Sequence, residues 1–441
     1  MKYDFPKDLY TDVRIEHVCS SHIRYSMGEI EELREAQDTG AFIRVYDGKR
    51  WYYSAVSDID SIQRKIDELA ACADPNPNIT NLKIYGKFSS NKDNCMQYAD
   101  DNYAKILTEE KIAGFKNLEG LFTGNKDIKH WHLLYRTNYT IKEFYSSKGA
   151  QLKFDYQHCF FLCSFNLSAD EKVMRGAYYT DSDLFLTDPN LTKAEILREI
   201  NEYKTFLKDS VPVEKGKYTV IFSPEAGGVF THECFGHKSE SDWVNKGKDD
   251  WIIGKQIANS IVSIVDSGTS ENILSIPYDD EGNKTQKKYL VKNGILSGQL
   301  HQCSTADLFD VPVTGNARAM SFEYKPIVRM INTYIEKGDK SFEQLISETK
   351  NGIFVKKVLH GSGMTTFTIA PELAYYIRDG KIAEPVRISV VSGNVFETLN
   401  NIDALSDCCE MSFGGCGKMM QFPLTVAKGG PYIRVNGLEV Q

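Results

Sequence analysis

The chain has 441 residues, of which 41% are hydrophobic and 25% charged, with a formal net charge of -8. It is too long for one ordinary core, its composition is that of a globular protein, and its acidity argues against a nucleic-acid partner. No apolar run reaches the ~18 residues that a membrane span needs, the longest lying around Cys159 to Phe165, so no membrane association is expected.

The first ten residues are charged and lack an apolar stretch, which argues against a secretory signal. The ten cysteines are scattered, unlike a disulfide framework. A cytoplasmic protein with mostly buried thiols is expected, and any exception should be a ligand or a nucleophile.

The first clear unit is a hairpin. Phe42 to Tyr46 and Arg50 to Ala55 flank Asp47-Gly48, a tight-turn pair. A helix is predicted over 59–73, with Ile59, Ile62, Ile66, Leu69 and Ala73 on one stripe and Ser57 or Asp58 as its cap. Asp74 to Pro77 breaks the chain. Two or more strands are predicted over 129–165, with a turn at Lys148-Gly149. A second helix is predicted over 192–208, opened by a Thr192–Glu195 capping box and buried through Ile196, Ile200, Tyr203 and Leu207.

A strand is predicted over 216–222. Turn pairs then recur at Asp266 to Gly268, Glu281-Gly282, Asn293-Gly294, Asn351-Gly352, Asp379-Gly380 and Asn436-Gly437. Only 341–350 reads as helical in this late part. The pattern predicts an α+β protein. An N-terminal α/β domain with a hairpin and helices spans 1–212, and a C-terminal domain dominated by mixed or antiparallel β-sheet spans 213–441. No internal repeat is present.

After the 216–222 strand come Ser223, suited to a helix cap, and Pro224, suited to the first helical position. Nine residues after Ser223, His232 and Glu233 fall on that helix, with His237 beyond them. Imidazoles bind zinc, and a carboxylate beside them can take a proton from a water. Histidines five apart lie about 140° apart on a regular helix, too far to share one ion. The helix must therefore widen or end between them, and Gly236 is the place for a π-bulge or a break. Zinc needs a third protein ligand. Cys416, flanked by glycines, is the best candidate, although spacing alone favours a packed thiol in a glycine-rich loop.

The helix motif and the Gly415-Cys-Gly-Lys418 loop together resemble the TldD/PmbA (TldE) peptidase family. The likeness continues through 40–54, Asp279-Asp-Glu-Gly282 with Thr285-Gln286, Asn293 to Leu296, Thr314 to Arg318, Pro326 to Thr333 and Ile377 to Ile382 with Pro385. It implies a metal site of His232, His237 and Cys416 with Glu233 catalytic, and it points to the TldD-like half, because the PmbA-like half lacks the motif. It also implies cleavage of short or unfolded peptides by a dimer, with itself or with a PmbA-like partner. Two places depart from the pattern. Cys234 stands inside the motif as a helix residue or a competing ligand, and His360 lies in a compact stretch where it lines the site or sits in a turn.

The leading expectation is a zinc metallopeptidase using Glu233 as general base. Its oxyanion donor and its substrate-binding residues are not evident in the sequence. The alternative is a peptide-binding scaffold subunit with a structural metal, in which Cys234 or Cys409 would complete four ligands. A cysteine hydrolase using Cys416 is weaker, since no helix N-terminus or partner is evident near it.

Overall fold

The computed structural model describes residues 2–169, 172–243 and 251–441. The N-terminal part is built on one seven-stranded sheet of β1 (Tyr10–Ser26), β2 (Glu29–Tyr46), β3 (Trp51–Val56), β4 (Lys92–Cys95), β5 (Ile128–Ser146), β6 (Gln151–Ala169) and β7 (Lys172–Thr180). Its order is β3-β2-β1-β5-β6-β4, with β7 also paired to β6. Alternation of apolar and polar residues gives the sheet two different faces. Phe161, Cys163 and Phe165 on β6 bury against Phe115 of α2 (Thr108–Glu119), Phe185 of α3 (Leu184–Thr187), and Ile196, Ile200 and Tyr203 of α4 (Pro189–Asp209). Helix α1 (Ile62–Cys72) buries Ile62 and Ile66 against Val13, Ile15 and Ile43.

The C-terminal strands follow in chain order: β8 (Val211–Pro212), β9 (Gly216–Phe222), β10 (Ile264–Asp266), β11 (Lys288–Lys292), β12 (Ile295–Leu296), β13 (Ala317–Arg318), β14 (Ile327–Val328), β15 (Asn332–Ile335), β16 (Asn351–Gly363), β17 (Thr366–Arg378), β18 (Lys381–Arg387), β19 (Val391–Asn394), β20 (Ile402–Leu405), β21 (Glu410–Lys418), β22 (Gln421–Gly430) and β23 (Ile433–Val440). They form an eight-stranded sheet, β16-β9-β23-β19-β17-β18-β8 with β20 on β23, and a six-stranded sheet, β12-β11-β10-β15-β22-β21. Most pairs are antiparallel, while β9–β16, β15–β22 and β8–β18 are parallel. The fold is α+β with mixed sheets, as the sequence pattern predicts. Helix α5 (Pro224–Phe230) packs against β16 of one sheet and β22 of the other. No helix of the described residues is long and apolar enough to cross a membrane.

Several local expectations need correction. The 42–55 hairpin is the end of a longer one that begins at Tyr10; Glu29 to Asp38 hides it, being polar and exposed on both faces. The 59–73 helix opens as a 3-10 turn at Ile59–Ser61. The helix predicted from 192 starts at Pro189 with Asp188 as its cap, and Glu195 instead accepts from the Tyr178 hydroxyl at 2.6 Å. Asn293-Gly294 and Asp379-Gly380 are tight turns with both residues at positive φ. Asn351-Gly352, however, lies inside β16, and Asn436-Gly437 makes a bulge in β23. Two further short helices, α6 (Cys303–Phe309) and α8 (Val395–Asn400), accompany α7 (Phe342–Glu348) in the late part.

The Asp279-Asp-Glu-Gly282 loop ties the N-terminal sheet to this part of the chain. Asp280 accepts from Lys142 at 2.5 Å, and Lys142 lies 3.4 Å from Glu16, itself 2.8 Å from Arg14. Arg44 grips Asp12 through two hydrogen bonds and Glu281 through a third at 2.9 Å. All these groups are buried. Burial opposes the Asp280 carboxylate, but Lys142 and Arg14 outweigh it and hold its pKa below the usual carboxylate range. Removing one partner of a buried charge set strands the rest and costs about 3–5 kcal/mol. Lys142→Met is therefore expected to destabilise the protein by about that amount, read as a lowered denaturant midpoint. A midpoint equal to wild type would show that the network contributes nothing.

Candidate metal centre

Strand β9 delivers the chain into α5. The Ser223 hydroxyl accepts from Ala226 N and donates to Lys356 O of β16, so the cap also fixes the helix on the sheet. Gly228 lets the helix lie directly on β22: a methyl group there would stand 2.6 Å from the backbone nitrogen of Gly429. After Phe230 the helix widens. Thr231–Gly236 form one π-helical turn, and the His237 amide donates to His232 O, five residues back. This extra residue per turn brings the two histidines to one side. Gly236 permits it, since a side chain there would strike Met330 Sδ at 2.2 Å.

The rings of His232 and His237 are 5.0 Å apart between centroids. Cys416, on edge strand β21, places its Sγ 3.6 Å from His237 Nε2. One ligand atom from each of His232, His237 and Cys416 falls within 4.8 Å of the other two. A tetrahedral zinc with ligands at about 2.0–2.3 Å needs such atoms ~3.5 Å apart, so small side-chain rotations would close the set. His232 is buried, and its Nδ1 has no hydrogen-bond partner. Burial, and then the charges of His237, Lys428 and Arg329, hold its pKa well below the ordinary imidazole value. A neutral buried imidazole with an orphaned nitrogen, beside a second imidazole and a thiol, fits a divalent metal of zinc type.

Glu233 stands beside this group, its carboxylate 3.9 Å from His237 Nε2 and its side chain one-third exposed. It opens into a cleft of about 350 Å³ lined by Glu225, Val229, His360, Phe413 and Lys428, with Phe160 and Tyr179 contributed by the N-terminal sheet. His360 is exposed on β16 and lines the cleft. Cys234 points into the apolar core with Phe230 and Phe235, and burial pushes its thiol pKa up. Cys409 is exposed and outside the group. A larger groove, about 580 Å³ between Arg24, His132 and Arg175, lies elsewhere on the N-terminal sheet. Among the described residues no metal-ligating group forms there.

Sequence reasoning missed the residues that hold the ligands in place. Glu240 Oε2 accepts from His237 Nδ1 at 3.1 Å, from Lys418 Nζ at 3.1 Å and from Trp243 Nε1 at 3.1 Å. Lys418 is fully buried and also reaches Asp242 at 2.5 Å and Val328 O at 2.8 Å. Burial works against the His237 imidazolium, but Cys416 and Glu240 outweigh it and push its pKa up to about 10. Buried Arg329 donates to Cys416 O at 2.7 Å. A carboxylate behind a ligating histidine fixes its ring and raises its basicity. The spacing His237-x-x-Glu240 and the Lys418 of the glycine-rich loop were the available signals.

Comparison with known proteins places the chain in a family. Residues 215–441 match the PmbA/TldA metallopeptidase C-terminal domain, and 11–73 match PmbA/TldA metallopeptidase domain 1. A metalloprotease of Methanocaldococcus jannaschii is 31% identical over 442 residues, covering 96% of this chain and 95% of its own. A zinc metalloprotease TldD homolog of Saccharolobus solfataricus is 29% identical, covering 98% and 96%. The crystal structure of TldE from Thermococcus kodakarensis shares the fold, with a TM-score of 0.76 at 17% identity over 98% of this chain and 96% of that one. With its C-terminal half matched throughout and a relative aligned along nearly its whole length, this chain belongs to the PmbA/TldD metallopeptidase family.

Proposed function

We propose that this chain is a zinc-dependent peptidase of the TldD-like half of the family, with His232, His237 and Cys416 as ligands and Glu233 as general base. The observation that carries the reading is the convergence of the three ligand atoms within 4.8 Å beside a carboxylate open to a cleft. A bound zinc supplies Lewis acidity, polarising a carbonyl and acidifying a water. The chain's own residues do the rest. Glu233 accepts the proton of the attacking water and returns it to the leaving amine. Glu240 and Lys418 keep His237 in one orientation, and Arg329 holds the Cys416 backbone.

The scaffold alternative asks for a fourth protein ligand. Among the described residues neither Cys234 nor Cys409 belongs to the group, so neither supports that fourth ligand. All ten cysteines are free, in keeping with a cytoplasmic setting. The C-terminal unit carrying this site is taken as 213–441, joined to the N-terminal unit 1–212 at the β8–β9 connection.

Short or unfolded peptides are the proposed substrates. Strand β21 is a sheet edge that carries the proposed ligand Cys416, and extended peptides bind readily by adding a strand to such an edge. The working unit is proposed to be a dimer, with a second copy or with a PmbA-like subunit. The β21–β22 turn beside Cys416 exposes Met419, Met420 and Phe422, an apolar tip of the kind that interfaces cover.

Three measurements test this reading. The purified protein should hold close to one zinc, and Cys416→Ala should lose most of it while Cys234→Ala keeps it. Unchanged zinc affinity in Cys416→Ala would remove the thiolate from the ligand set. Glu233→Gln should keep fold and zinc but turn over about a hundredfold or more slowly, and retained turnover in that variant would end the mechanism. One substrate offered native and unfolded should be cleaved only when unfolded, by a species that light scattering shows to be dimeric. Equal cleavage of both forms, or full activity in a monomer, would refute the substrate and assembly parts.

A further inference from the structure

Lys428 is the cation of the cleft that the proposed mechanism leaves without a task. It sits on β22, opposite Ser412 of β21 and Thr333 of β15. Its place is set by the same close approach that seats the histidine helix, because Gly228 packs on the backbone of Lys428 and Gly429. The side chain is half-buried and lines the cleft together with Glu233 and Glu225.

Glu225 beside it and the other buried lysine have partners of their own. The Glu225 carboxylate accepts from Val358 N at 3.1 Å, and Lys418, the other lysine near the ligands, is locked by Glu240 and Asp242. The Lys428 ammonium makes no hydrogen bond or ion pair among the described residues. Its charge is felt by the reacting group all the same: burial lowers its pKa, while Glu233, Glu225 and Cys416 each favour the ammonium, and Lys428 in turn disfavours charge on His232. A half-buried ammonium without a hydrogen bond carries a desolvation cost that the nearby charges of Glu233 and Glu225 offset only in part. A group arriving in the cleft with negative charge would recover it.

We infer that Lys428 is a catalytic residue that donates to the oxygen of the scissile carbonyl and stabilises the charge that develops there. The inference rests on the peptidase reading. In the step, the water oxygen bonds to the carbonyl carbon as Glu233 removes its proton, and the carbonyl π pair moves onto the oxygen facing Lys428. The pair then returns, the carbon–nitrogen bond breaks, and Glu233 gives the proton to the departing amine. Lys428 keeps its own protons and acts through charge. Its hydrogen bond strengthens as the oxygen becomes an anion, which is the condition for raising kcat instead of lowering KM.

The test compares zinc-loaded wild type, Lys428→Met and Lys428→Arg on one unstructured peptide. Chelator-sensitive cleavage by wild type establishes the peptidase reading separately, and its absence would count against that reading. Given that activity, Lys428→Met should lose about 10²–10³-fold in kcat with KM little changed. Lys428→Arg should recover a part of the loss. A kcat within twofold of wild type, or a raised KM with kcat preserved, would overturn the oxyanion role, the second outcome marking a ground-state anchor for a substrate carboxylate. A labelling arm does not depend on turnover. In zinc-loaded Glu233→Gln, Lys428 should be acetylated by limiting N-hydroxysuccinimidyl acetate, as read by peptide mass mapping. The same unstructured peptide, bound as shown by calorimetry, should slow that acetylation. Unchanged labelling of Lys428 with the peptide bound would also overturn the proposal.

Discussion

Two imidazoles five residues apart on a helix face different directions, and one ion cannot hold both unless the helix takes an extra residue in the turn between them. The π-turn over Thr231–Gly236 meets that constraint, and much of the neighbouring structure exists to permit it. Gly236 leaves room for Met330, and Gly228 lets α5 press on β22. A widened turn has poorer packing along its own axis and is found where function over-determines it. Here it is boxed in by β15, β16 and β22, elements from both C-terminal sheets.

The proposed ligand group is held by buried charge as well as by packing. Lys418, Glu240 and Asp242 form a set whose lysine has no exposure, and Arg329 is fully buried behind Cys416. Isolated, each of these ions would cost several kcal/mol to bury. The Lys418 ammonium bonds Glu240, Asp242 and the Val328 carbonyl, and Arg329 bonds the Cys416 carbonyl, which together fix His237 and Cys416 in place. The glycine-rich loop thus brings two things to one place: the thiol of Cys416 and, two residues on, the cation that orients the histidine opposite it.

The same device recurs at larger scale between the N-terminal sheet and the rest of the chain. The even-numbered residues of β1 present Asp12, Arg14 and Glu16, and β5 presents Lys142, to the Asp279–Gly282 loop. Farther along β6 and β7 the same face supplies Phe160 and Tyr179 to the cleft. Rigid attachment at one end therefore decides the wall of the cleft at the other. A domain junction built from apolar contacts alone would leave the rotation between the two parts less narrowly defined.

Local order in this chain was legible wherever one element's own residues dictate it. The Ile62–Ile66 and Ile196–Tyr203 stripes, the Gly216–Phe222 strand, the Ser223-Pro224 helix start and the turns at Asn293 and Asp379 all follow from side-chain period or from backbone φ, which act over a few residues. The spacing of His232 and His237 by itself likewise demands a widened or broken helix, since five residues overshoot one regular turn. What spacing left open was which of those two it would be, and whether Cys416 was a ligand or a packed thiol, because β21 meets the helix from 179 positions farther along the chain. Flanking glycines made Cys416 a candidate, and resemblance to a family gave it the ligand role. The roles of Glu240, Lys418, Arg329 and Lys428 were hidden for the same reason, although Lys418 and Arg329 lie in stretches that carry the resemblance. Buried and half-buried charges look like surface residues in a sequence, and only the tertiary packing of β15, β21 and β22 against one π-turn turns them toward a common point.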